Sequence, residues 1–96
     1  MNEKHDDQPI ARGAMLPWAW DWSDWLLSGD TIATQEFAAT DGLTIGAASQ
    51  AAGVVTAEVT CAPDATIGSR QRATCTITTA AGLVDSRSIR YVVEAR

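Results

Sequence analysis

Histidine, cysteine and long apolar runs are all scarce in this 96-residue chain, and each shortage removes a class of function. The one histidine, His5, sits in a polar N-terminal stretch where it cannot hold a catalytic geometry. The two cysteines, Cys61 and Cys75, have no histidine near them, so the roughly four ligands of a zinc site are not at hand. No basic residue or helix N-terminus is evident beside either thiol to activate it. The sequence also lacks a phosphate-cradling glycine loop, metal-ligand spacing and a serine elbow. No apolar run approaches the roughly 20 residues of a membrane-spanning helix. The first twelve residues mix Lys4 and Arg12 with Glu3, Asp6 and Asp7 and carry no apolar block, so they do not form a secretory signal. The expectation is a chain made in the cytoplasm with no address label, no catalytic activity, no cofactor and no metal.

What is present points to one small globular domain. Hydrophobic residues make up 46% of the chain and charged residues 20%, a globular rather than a disordered balance. A chain this short buries roughly two-thirds of its unfolded surface and cannot also build a deep, water-excluding pocket alone. The net charge of -5 argues against nucleic acid or an anionic membrane as a partner, because both call for basic patches.

Residues 1–13 are polar, carry both signs of charge and include Pro9, which predicts a flexible arm ahead of a single domain over residues 14–96. From Thr31 onward the chain alternates in strand fashion. Strands are expected at Thr31 to Phe37, Leu43 to Ile45, Val54 to Thr60, Arg72 to Thr79 and Val84 to Ala95. Turns fall at Thr40-Asp41-Gly42 and Ala80-Ala81-Gly82, and the small, polar stretch from Gly46 to Gly53 reads as a loop. Six or so short strands with such spacing predict an all-β fold, an immunoglobulin-like antiparallel sandwich in the first instance and a small barrel in the second. Cys61 and Cys75 fall at strand ends; they are read as buried thiols, with a disulfide across a hairpin as the alternative.

The most unusual stretch holds all four tryptophans. Trp18, Trp20 and Trp22 alternate at period two, which places three indoles on one side of an extended segment. Trp22, Trp25 and Leu26 follow at helical spacing, predicting a short helical turn near Ser23 to Leu27, capped by Asp21 or Ser23 and ended by Gly29. Large rings supply much of the burial a small domain needs, so part of the cluster is expected in the core. Tryptophan is also enriched at binding hot spots. Four indoles with Leu26 and Leu27 are more apolar mass than one edge of such a domain hides easily. Trp18, Trp20, Trp22, Trp25 and Leu26 are therefore the candidate partner-interface residues. Two further readings of the same stretch stay open. Aromatic platforms also line sugar sites, which would suit a carbohydrate-binding module. Asp21, Asp24 and Asp30 could serve a glycosidase only if two of them faced each other across a sugar, and helix capping is the simpler role.

The segment Asp21-Trp22-Ser23-Asp24-Trp25-Leu26, followed by Gly29-Asp30-Thr31-Ile32, resembles the opening of a family of short virion proteins, the fiber–tail adaptors of tailed bacteriophages. Phe37 and Gly42-Leu43-Thr44 match the next features of that pattern. Ile77-Thr78-Thr79-Ala80-Ala81-Gly82 and Asp85-Ser86-Arg87-Ser88-Ile89 match its close. The likeness spans Trp18 to Arg96 and is weakest in the middle, where Ala62-Pro63-Asp64 stands in place of a glycine pair. The resemblance implies a structural protein of the virion, present in several copies as a homo-oligomer and joining tail components through contacts with other phage proteins of the tail, fiber or capsid. It implies no catalysis. A capsid or tail-tube decoration protein is the alternative within the same class.

Overall fold

The computed structural model describes residues 7–95 and contains seven strands and no helix. They are β1 (Gln8–Ala11), β2 (Met15–Asp21), β3 (Ile32–Ala39), β4 (Leu43–Ala51), β5 (Val54–Cys61), β6 (Arg70–Thr79) and β7 (Val84–Glu94). One sheet has the order β1-β7-β6-β3 and the other β2-β5-β4. All neighbours are antiparallel except β1 and β7.

Alternation decides which side of each strand is wet. Val55, Ala57, Val59 and Cys61 on β5 are buried, as are Ala73, Cys75 and Ile77 on β6 and Tyr91 and Val93 on β7. The intervening threonines, Glu58 and Arg72 face outward, so the buried rows of the two sheets share one core. Aromatic rings bridge the layers. Trp18 of β2 meets Tyr91 of β7 edge-on, with centroids 5.1 Å apart. Trp20 of β2 lies 5.6 Å from Phe37 of β3 in a tilted contact. Such pairs contribute about 0.5–1.5 kcal/mol beyond their area. Both cysteines are free and buried.

The strands that carry proline are both edge strands, Pro9 on β1 and Pro17 on β2, where a missing N–H breaks no ladder. β4 bulges against Glu58, since Ile45 pairs with Val59 and Ala48 with Ala57, leaving Gly46 and Ala47 opposite one residue.

Three expectations change. Part of the arm expected over residues 1–13 is strand, because Gln8–Ala11 forms β1 beside Tyr91–Glu94 and Ile10 is fully in the core. A single apolar residue among polar ones gives no periodicity to read. Residues 1–6 of that arm lie outside the described residues. The loop expected from Gly46 to Gly53 is mostly strand, since β4 runs to Ala51. Its Ala and Ser residues have little β preference of their own, but an already formed β5 offers them ladder hydrogen bonds.

The helical turn expected near Ser23 to Leu27 is also absent as a helix. The N–H groups of Trp25 and Leu26 both donate to the Trp22 carbonyl, at 2.9 and 3.1 Å, closing a single turn that does not propagate. One turn fixes several dihedrals for very few bonds, and here it is anchored at both ends instead of extended. Upstream, Asp21 Oδ1 accepts from the Ser23 N–H at 2.8 Å and from its hydroxyl at 2.6 Å. Downstream, Gly29 takes φ +81°, which breaks the run.

Candidate docking site at the tryptophan-rich end

Three chain segments converge at one end of the two layers: the loop from Trp22 to Thr31, the β4–β5 turn at Ala52-Gly53, and the β6–β7 turn at Ala80 to Leu83. The Trp22 N–H donates to the Gly53 carbonyl at 2.8 Å, which seats the loop on the β4–β5 turn. Gly53 has φ +85°, and a Cβ there would stand 3.0 Å from both Ser23 Cα and Leu26 Cδ1. Only glycine accepts both constraints. The Ala80 N–H donates to the Thr31 carbonyl at 2.8 Å, and the Thr79 and Leu83 backbones close the β6–β7 turn.

Side chains then lock these segments together. Trp22 is fully buried, and its Nε1–H donates to Asp85 Oδ2 at 2.8 Å. Arg87 spans the same junction: its Nε lies 3.3 Å from Asp85 Oδ2, and its Nη1 donates to the Asp21 carbonyl at 2.6 Å. The guanidinium also sits 5.3 Å from the Trp22 ring centroid, in cation–π range. Asp30 Oδ1 accepts from the Thr31 N–H at 2.9 Å and from the Ala81 N–H at 3.1 Å. Burial works against the charge of Asp30, but the Thr79 hydroxyl and these two N–H groups outweigh it and hold its carboxyl below the ordinary value. The hydroxyl and N–H of Ser23 do the same for Asp21, with a smaller contribution from Arg87 and some opposition from desolvation.

The five candidate interface residues divide between core and rim. Trp20 and Trp22 belong to the core of the isolated chain. Trp18, Trp25 and Leu26 are half-buried and pack against that core. The open apolar surface at this end is instead Leu27, 61% exposed, with Leu83 and Val84 on the β6–β7 side at 40% and 62%. Sequence reasoning missed Leu83, Val84, Asp85 and Arg87. A signal for Asp85 existed, because a buried indole N–H needs an acceptor and few carboxylates lie on strands that could reach it.

Asp21 and Asp30 are each held in a turn by a backbone N–H close in sequence, of Ser23 and Thr31 respectively. Among the described residues, no group of three or more His, Cys, Asp or Glu could hold a metal ion. Nor, among the described residues, is any helix long and apolar enough to cross a membrane. What the end offers chemically is a rigid, largely acidic platform with apolar side chains at its rim, a surface suited to contact with another protein.

The segments that meet here, Asp21–Ile32 and Ile77–Ile89, are the same two blocks that carry the family resemblance. Residues 11–91 match the sequence profile of the Gp77 family, described as podophage GP4 fiber-tail adaptor protein gp77. The match covers most of the chain, and the chain belongs to this family of phage tail structural proteins. Among curated proteins, none matches it.

Proposed function

We propose that this chain joins the tail of a podophage particle to its fibers, acting through protein–protein contacts and in several copies, and that it catalyses no reaction. The observation that carries the reading is the family match over residues 11–91. The architecture supports it. Two packed, mostly antiparallel layers braced by tryptophans suit a load-bearing joint, and we read them as a variant of the immunoglobulin-like sandwich. The net charge of -5 suits a partner that is protein rather than nucleic acid.

The contact surface in this reading is the tryptophan-rich end. Leu27 and Val84 are its exposed anchors, backed by Trp25 and Leu26, while Trp20 and Trp22 keep the platform rigid. Pre-organised apolar anchors bind tightly because little side-chain freedom is lost on contact.

Light scattering of the chain mixed with the tail and fiber proteins of its source particle tests this directly. A defined complex is expected, weakened about tenfold or more by Leu27→Asp or Val84→Asp while the melting temperature of the chain stays unchanged. A chain that ignores every tail and fiber protein but whose tryptophan fluorescence is quenched by soluble glycans would replace this reading with a carbohydrate-binding one.

A further inference from the structure

The outer edges of the two sheets are not guarded alike. β1 and β2 each carry a proline, which hinders a further strand from pairing there. β3 and β4 lie together on another flank, where Gln50 Nε2 of β4 donates to the Ile32 carbonyl of β3 at 3.1 Å. β3 bears Glu36 and an irregularity of register between Ile32 and Thr34. β4 has nine residues with neither a charge nor a proline, and Gly46 to Ala51 are all exposed. Proteins ordinarily shield an edge of that composition from other chains.

The ladder fixes which backbone groups of β4 point outward. The Trp22 N–H donates to the Gly53 carbonyl and the Cys61 N–H to the Ala14 carbonyl, so odd-numbered residues of β5 turn their backbone groups to β2. Even-numbered residues turn theirs to β4, where Val54, Thr56 and Thr60 face Ala51, Ser49 and Thr44. Ile45, Ala48 and Gln50 therefore direct N–H and C=O away from β5, along an edge with no strand beside it among the described residues. Side chains entering here would also find cover. Phe37 and Ala39 of β3 and Leu43 and Ile45 of β4 line an open cleft between the two edges, and Phe37 and Ile45 are only half-buried.

We propose that β4 takes up an extended segment of a tail or fiber protein as an additional strand, with apolar side chains toward the Phe37–Ile45 cleft and neutral or basic ones on its other face. A row of main-chain donors and acceptors is met in full by another extended backbone. The basic character follows from charge, since β3, β4 and β5 carry Glu36 and Glu58 and no Lys or Arg. Glu58 leans over β4: a Cβ at Gly46 would stand 3.2 Å from its Oε1, and only a glycine leaves that carboxylate its place beside the free edge. A second copy fits poorly. β4 bends at its bulge opposite Glu58, so two rigid β4 edges cannot run side by side for long, whereas a pliant segment follows the bend. The net charge of -5 also sets copies against each other. This rests on the reading of the chain as a joint between tail and fiber, but it uses the β4 flank rather than Leu27 and Val84.

Peptides of about 12 residues that tile the tail and fiber proteins of the source particle, long enough to run along β4, are the probe. Hydrogen exchange of the full chain is read with and without each. A peptide that binds should slow exchange at the amides of Ile45, Ala48 and Gln50 by about tenfold or more and leave β1 and β2 unchanged. Ala48→Pro removes an outward N–H without touching the β5 ladder, and should weaken that peptide about tenfold at an unchanged melting temperature. Glu58→Gln should weaken a peptide bearing Lys or Arg, with a smaller difference in high salt. Leu27→Asp should leave peptide binding as it is. If Ala48→Pro misfolds, exchange in the parent decides alone. Peptides that bind elsewhere or not at all would overturn the proposal, as would protection of these amides that rises with the concentration of the pure chain. A whole tail or fiber protein that binds without protecting β4 would overturn it too, and leave the tail–fiber joint standing.

Discussion

Trp22 is at once core, hydrogen-bond donor and cation–π platform. Replacing it with Ala removes a fully buried indole and should cost about 3–5 kcal/mol, a large share of the stability of so small a domain. Asp85→Ala keeps the ring but strips the acceptor from its N–H, and urea unfolding should show a smaller loss of about 1–3 kcal/mol. The thiols behave differently. Burial pushes the Cys75 thiol up to about 11, and Cys61 is equally inaccessible, so a thiol reagent near pH 8 should find no cysteine in the native chain and two after unfolding. The carboxylates set the acid limb. Asp30 and Asp21 titrate lower in the folded chain than in the unfolded one, so the unfolded chain takes up more protons as pH falls. Their contribution is full above about pH 4 and lost as pH drops through the folded values. Asp30→Asn should lower stability at neutral pH and flatten the decline below that point, read from urea midpoints across pH.

Among the elements, the β4–β5 turn and the loop it holds are the most sensitive. Gly53→Ala combines a disfavoured φ with a close approach to Ser23 and Leu26, and should cost more than about 1 kcal/mol, visible as a lower melting temperature. Gly68→Ala has the same backbone sign but open space around it, so its loss should be the smaller of the two. The long alternating strands β5, β6 and β7 were legible in the sequence because one face of each is buried, and burial writes period two into the residues. β4 beyond Ile45 was not legible: as an edge strand it exposes most of its small residues, so burial leaves no pattern there. β1 escaped notice for the related reason that only Ile10 of its four residues enters the core. The turn after Trp22 carries helical spacing, yet its partners are backbone groups across the fold, which no local pattern records.

At the scale of the molecule, the class of protein was readable from two sequence blocks, and the structure shows those blocks meeting at one end. The positions of individual candidates were less readable. Period two said that Trp18, Trp20 and Trp22 share a side, but could not say how completely the facing sheet would cover each. Tyr91 meets Trp18, Phe37 meets Trp20, and Asp85 and Arg87 meet Trp22, all far away in sequence. The rim residues Leu83 and Val84 belong to a turn and a strand end, where exposed apolar side chains follow no periodicity. The central functional proposal is that the chain sits at the joint between tail and fiber. Electron cryomicroscopy of the source particle tests it most directly. The account predicts density fitting these two layers between the tail and the base of each fiber, with the tryptophan-rich end in contact with a neighbouring chain. The same density found on the capsid surface, or absent from the tail, would contradict it.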